Sequence, residues 1–196
     1  MTPHVVKISG SLLSLPDPYE RIKNAIRRLR YAETDSHLVL IVGGGEAVEQ
    51  IREQDRQHSL GEEAAHWAAI EQMDANTRSI ASHLPDAVVC SSWKTLKTRC
   101  RDSGQTLFAT GDFLKAIEPQ LPGTRLPIGW QVTSDSIAAR VAILLGAPLT
   151  LVKARPFPTP MSQQGWREYA RQGIVDEFLP SLVGELSSIT LTGPDG

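Results

Sequence analysis

Four short stretches of this sequence carry residue types suited to holding and moving an anion. Near the N-terminus, Lys7-Ile8-Ser9-Gly10-Ser11 places a lysine at the end of an apolar run and follows it with a turn of small residues. A lysine is a compact point charge that suits a phosphoryl oxygen, and small residues let backbone N–H groups come close to it. The plain alternative is a solvated strand-end lysine before an ordinary turn. Gly43-Gly44-Gly45 stands between a nearly continuous apolar run and a helical pattern that begins near Glu46. Free N–H groups and the positive end of a helix dipole converge at such a junction and would hold a phosphate or carboxylate, although a tight turn alone would also use glycine. The spacing is neither the dinucleotide-binding fingerprint nor the P-loop. Thr133-Ser134-Asp135 precedes a helical pattern through Ile137, Ala138, Val141, Ala142 and Leu145, and any one of the three can serve as its cap. Three adjacent capping residues exceed what one helix needs, so Asp135 could instead accept hydrogen bonds from two lysines. The second lysine is Lys153, at the end of the apolar run 149–152, where a solvated strand end is the competing role.

The elements that must position these residues alternate. Short apolar runs at 4–8, 37–42, 87–90, 106–109, 148–153 and 188–192 read as strands, and helical spacing fills the intervals between most of them. Alternation of this kind implies an α/β three-layer αβα sandwich, with right-handed crossovers and a mostly parallel central sheet between helices. Ligands then gather at the carboxyl ends of the strands, where Lys7, the glycine run and Lys153 all fall. Ser59-Leu60-Gly61-Glu62 has the capping-box spacing and opens a long helical pattern through Ala65, Ala68, Met73 and Ile80. Its alanines offer a close-packing face for a second copy, or for another helix of the same chain. Between Arg155 and Gln164, Pro156, Pro158 and Pro160 mark an extended surface loop that could act as a lid.

The totals narrow the class. With 196 residues, 41% apolar and 21% charged, one domain spanning the whole chain is expected. A net charge of −2 lacks the basic footprint that nucleic acid requires. No apolar stretch approaches the ~20 residues of a membrane span, and the N-terminus enters a strand-like run within a few residues, so neither anchor nor signal peptide is expected. Cys90 and Cys100 have no metal-ligand or disulfide pattern, which fits a reducing cytoplasm, and neither is a candidate nucleophile. His58, His66 and His83 are expected on helix surfaces rather than as ligands.

Five segments together resemble a known family. Val-Val-Lys-Ile-Ser-Gly-Ser-Leu-Leu (5–13), Ile-Val-Gly-Gly-Gly (41–45), Val-Thr-Ser-Asp-Ser-Ile-Ala-Ala (132–139), Leu-Val-Lys (151–153) and Gly-Ile-Val-Asp-Glu-Phe-Leu-Pro (173–180) are similar, in order and over nearly the whole chain, to the amino acid kinase superfamily of aspartate, glutamate and uridylate kinases. The 132–139 segment and the short length look most like the branch that contains the aminomethylfuran-methyl-phosphate kinase of methanofuran biosynthesis. The resemblance implies a carbamate-kinase-like fold with an eight-stranded, mostly parallel sheet. ATP, accompanied by Mg²⁺, would lie at the carboxyl ends of one half, with a small phosphate- or carboxylate-bearing acceptor near the other. It implies that Lys7 stabilises charge on the transferred group, Lys153 is the second cation and Asp135 organises both. Ser9, Gly10, Ser11, Gly43, Gly44, Gly45, Thr133 and Ser134 would surround phosphate or acceptor, and no side chain need bind metal. The furan-methyl phosphate is the leading acceptor, a uridylate-kinase-like nucleoside monophosphate kinase the alternative, and a homo-oligomer the expected state. Two departures favour a third reading, a ligand-binding relative without catalysis. Ser9 replaces the family's usual glycine, where a side chain could crowd phosphate or demand an unfavourable φ. Lys153 is followed by Ala154-Arg155-Pro156-Phe157-Pro158 instead of the family's Val-Asp-Gly turn.

Overall fold

Two strands whose every residue is shielded from water anchor the architecture. In the computed structural model, which describes residues 2–32 and 36–195, these are β1 (Pro3–Ile8) and β2 (His37–Val42), each buried along its whole length. Such strands need apolar side chains on both faces, which explains their unbroken Val/Ile/Leu character. They pair in parallel, with Val5 opposite Val39 and Lys7 opposite Ile41. Around them the chain runs through α1 (Pro18–Ala32), α2 (Glu46–His58), α3 (Glu62–Ala81), β3 (Ala87–Cys90), α4 (Trp93–Arg99), β4 (Gly104–Phe108), α5 (Ser134–Leu145), β5 (Leu149–Val152), α6 (Gln163–Arg171), α7 (Leu179–Leu182) and β6 (Ile189–Thr192). The sheet order is β3-β4-β2-β1-β5-β6, and every pair is parallel.

The two-residue period of the strands divides the core. Val6, Ile8, Leu38, Leu40 and Val42 pack with Ile22, Ala25 and Ile26 of α1 on one face. Val5, Val39, Ile41, Leu149 and Leu151 pack on the other, with Ile137, Ala138 and Val141 of α5 and Trp166 of α6. The result is the expected α/β sandwich, with all strands parallel.

Several expectations change. Among the described residues there are six strands rather than eight. After Lys153 the chain enters a proline-rich segment and short helices instead, because proline offers no N–H to a ladder. That segment is a tied strap rather than a free lid. Tyr169 Oη donates to the Pro158 carbonyl at 2.9 Å, Thr159 Oγ1 accepts the Leu191 N–H of β6 at 2.8 Å, and Gly193 lies against Pro156. The capping box at Ser59 does not form. Ser59 instead ends α2 in the left-handed region (φ 52°), and Gly61 stands at the start of α3 with no side-chain cap. Ala65 and Ala69 are buried within the chain itself, and α3 packs against α2. His66 is buried too, not on the surface.

At the carboxyl ends of β1 and β2 the two small-residue turns touch. A Cβ on Gly10 would lie 2.0 Å from the Gly45 nitrogen, and one on Gly43 2.7 Å from the Gly10 nitrogen. Gly10 is therefore required first by backbone contact between turns. Gly10→Ala should destabilise the protein by about 1–3 kcal/mol or more through overpacking, read as a lower urea midpoint. An unchanged midpoint would contradict this packing.

Candidate active site

Lys7 is the last residue but one of β1, with its side chain on the α5 face, the same face as Val5. In β5, Lys7 pairs with Leu151, and Lys153 follows two residues later on the same face. Adjacent parallel strands thus deliver two ammonium groups to one place. The N-terminus of α5 meets them there. Asp135 Oδ1 lies 2.9 Å from Lys7 Nζ, and Asp135 Oδ2 accepts a hydrogen bond from Lys153 Nζ at 2.7 Å. All three residues are almost wholly buried, at 4–6% exposure. One carboxylate therefore bridges two lysines and leaves the cluster with one excess positive charge, which suits an incoming anion.

The glycine turn lies beside this bridge and is held from behind. Asn76, on α3, donates from Nδ2 to the carbonyls of both Gly43 and Gly44, each at 2.9 Å. Peptide planarity then turns the N–H groups of Gly44 and Gly45 away from α3. Gly45 has φ 65° and stands immediately before α2 without a side-chain cap; its carbonyl accepts the N–H groups of Val48 and Glu49, which leaves those of Glu46 and Ala47 as the helix's orphan donors. A small pocket runs from Gly44 between α2 and α3, lined also by Val48, His66, Met73, Trp130 and Ser134. Ser9 and Ser11 share a 2.9 Å side-chain hydrogen bond on the exposed lip of the first turn. Ser9 has an ordinary extended conformation (φ −63°, ψ 133°), so the feared backbone strain is absent.

A sequence model of the amino acid kinase family matches residues 3–154, a span that contains Lys7, the glycine turn, Asp135 and Lys153. The chain belongs to the amino acid kinase family. No curated protein sequence matches it significantly. Its fold is similar to uridylate kinase from Archaeoglobus fulgidus, at 16% identity and a TM-score of 0.64 over 98% of this chain and 92% of that one. UMP kinase from Bacillus anthracis gives 14%, 0.68, 100% and 88%, and UMP kinase from Ureaplasma parvum 13%, 0.65, 100% and 91%. At these identities the likeness is one of fold.

Within this amino acid kinase domain, Asp135 is free to bridge because another residue caps its helix. Thr133 precedes α5 without making a side-chain cap. Asp176 does the capping from outside. Its carboxylate accepts the N–H groups of Thr133 (3.0 Å), Ser136 (2.8 Å) and Leu179 (2.9 Å), and the hydroxyls of Thr133 and Ser136. Asp176 belongs to the 173–180 segment, and its own role is not readable there because it caps a helix about forty residues earlier in the chain. Asn76 was missed for the same reason.

Charge states follow from burial and neighbours. Burial pushes the Asp135 carboxyl up, but Lys7 and Lys153 together outweigh it and hold the group down at about 2. Burial lowers Lys7 to about 8, against the attraction of Asp135 and with the help of Lys153. Burial, then the charge of Asp135, raises Asp176. Cys100 is pushed up to about 11 by burial, so it is a poor nucleophile at neutral pH.

Removing the bridging charge leaves two buried cations facing each other. Asp135→Asn should cost about 3–5 kcal/mol, measured by urea unfolding at pH 7. The sign of the pH dependence is fixed by the depressed native pKa. Asp135 contributes stability above its ordinary 3.8, and this is lost as pH falls towards about 2. A stable Asn variant would contradict the bridge.

Proposed function

We propose that this chain is an ATP-dependent phosphotransferase acting on a small metabolite, with Lys7, Lys153 and Asp135 as its transfer machinery. The observation that carries the proposal is the single buried carboxylate shared by two lysines beside the glycine turn. Phosphoryl transfer asks little covalent chemistry of a protein and depends on positioning and on charge stabilisation. Two ammonium groups, each held at a fixed distance by Asp135, would take up the charge that spreads over the equatorial oxygens. The N–H groups of Gly44 and Gly45 and the start of α2 would receive phosphate or acceptor, with Gly10, Gly43, Ser9, Ser11, Thr133 and Ser134 forming the surrounding wall. No general base is needed when the acceptor is itself a phosphate oxygen.

ATP·Mg²⁺ is the donor in this reading. Among the described residues no group of three or more His, Cys, Asp or Glu side chains is placed to hold a metal, and Asp135 is already occupied by lysines. Mg²⁺ would therefore be carried chiefly by the nucleotide's phosphates, its usual mode of binding. For the acceptor we favour the aminomethylfuran-methyl phosphate over a nucleoside monophosphate, on the likeness of the Val-Thr-Ser-Asp-Ser-Ile-Ala-Ala segment at 132–139 and the short chain. The strap at 154–162, in place of a Val-Asp-Gly turn after Lys153, supports the competing reading of a ligand-binding relative. Calorimetry with ATP·Mg²⁺ separates the two, since that relative would not bind nucleotide at millimolar concentration.

Lys7→Ala should lower kcat by about 10²–10³-fold, the usual loss when one preorganised charge-stabilising donor is removed; unchanged turnover would refute the assignment. In the wild type, kcat/KM should fall as pH rises through about 8, where free Lys7 loses its proton. Bound phosphates favour the charged amine, so the limb in kcat should lie higher. A flat alkaline profile would contradict a cationic role for Lys7.

A further inference from the structure

The pocket that opens from Gly44 has one polar group that the transfer machinery does not use. His66, on the second turn of α3, is only 6% exposed and lines this pocket with Val48, Ala69, Ile70, Met73 and Val132. Its Nδ1 is committed, lying 3.2 Å from the Gly129 N–H and 3.1 Å from the Gly129 carbonyl. Gly129 allows this approach because it has φ 147° and because a Cβ there would meet the Glu62 and Gln131 side chains at 2.3 Å. The other ring nitrogen, Nε2, has no partner among the described residues.

The remaining polar side chains of the pocket are mostly spoken for. Trp130 Nε1 donates to Asp55 Oδ2 at 2.8 Å, and the Thr133 hydroxyl donates to Asp176. Only Ser134, next to Asp135 in the chain, and the turn at Gly44 remain. Among the described residues no charged side chain lines it. Its volume is about 30 Å³, room for about two or three water molecules. A pocket with apolar walls and one or two placed polar groups selects orientation through those groups.

We propose that His66 is a specificity-determining residue of the acceptor site: its Nε2 hydrogen-bonds a small polar substituent of the acceptor that reaches into the pocket, while the acceptor's phosphate faces Lys7 and Lys153. This rests on the phosphotransferase reading for the identity of the site. Because Nδ1 can accept from the Gly129 N–H or donate to its carbonyl, Nε2 can be either donor or acceptor to the ligand. A neutral imidazole is required, and burial, the largest influence, lowers the His66 pKa against the pull of the Gly129 carbonyl, Glu62 and Glu63.

Two substitutions separate ligand recognition from mere support of Gly129. The amide of His66→Asn falls where Nδ1 stands, keeping the tie to Gly129 and deleting the group at Nε2. That of His66→Gln reaches the Nε2 position. The experiment is calorimetric titration of wild type and both variants with aminomethylfuran-methyl phosphate and, separately, with UMP, without a phosphoryl donor. The expected result is furan-phosphate binding that weakens at least about tenfold in His66→Asn and is largely restored in His66→Gln. Equal binding by all three proteins, loss in His66→Gln alone, tighter binding of UMP, or binding of neither compound would overturn the proposal. Failure of the phosphotransferase reading looks different: the furan phosphate binds with the His66 dependence intact, yet no phosphate passes to it from ATP.

Discussion

The structure turns on one carboxylate between two ammonium groups. Burying Lys7, Lys153 and Asp135 together is costly in desolvation, and a buried ion pair is seldom retained for stability alone. What the arrangement provides is geometry. Asp135 fixes both amines on the same face of the sheet and leaves one unbalanced positive charge at the carboxyl ends of β1 and β5. An anion entering that place completes the electrostatics instead of disturbing them.

Much of the surrounding fold follows from keeping this bridge in register. The sheet supplies the two lysines from neighbouring parallel strands, and α5 supplies the aspartate from its first turn. A helix whose first-turn aspartate is used elsewhere still has N–H groups to satisfy, and Asp176 reaches them from a different part of the chain. Asn76 does the equivalent work for the glycine turn. The site is thus built from charged and backbone groups whose supports come from α3 and from the segment before α7, not from their sequence neighbours.

That division explains what could be read in advance. Lys7, the glycine run, Asp135 and Lys153 were legible because each sits at a strand end or helix start, and local pattern locates those points well. The alternation of strands and helices likewise carried the α/β layering. Local pattern could not carry Asp176 or Asn76, since a cap or a staple supplied from afar has no spacing signature. It misplaced His66 for a related reason: a histidine in a helix with alanines and acidic residues resembles a surface residue until Gly129 is known to pack on it. Ser59 shows the reverse error, in which a correct capping-box spacing was overruled by the left-handed turn that ends α2. The strap after Lys153 was visible as proline-rich sequence, but its ties to β6 and α6 depend on tertiary contacts.

The most direct test of the account is a crystal structure of the protein with MgADP and aluminium fluoride, which mimics a phosphoryl group in flight. The account predicts the fluoroaluminate within hydrogen-bond reach of both Lys7 Nζ and Lys153 Nζ, with Asp135 still between them. A complex in which the fluoroaluminate lies away from these amines would contradict it.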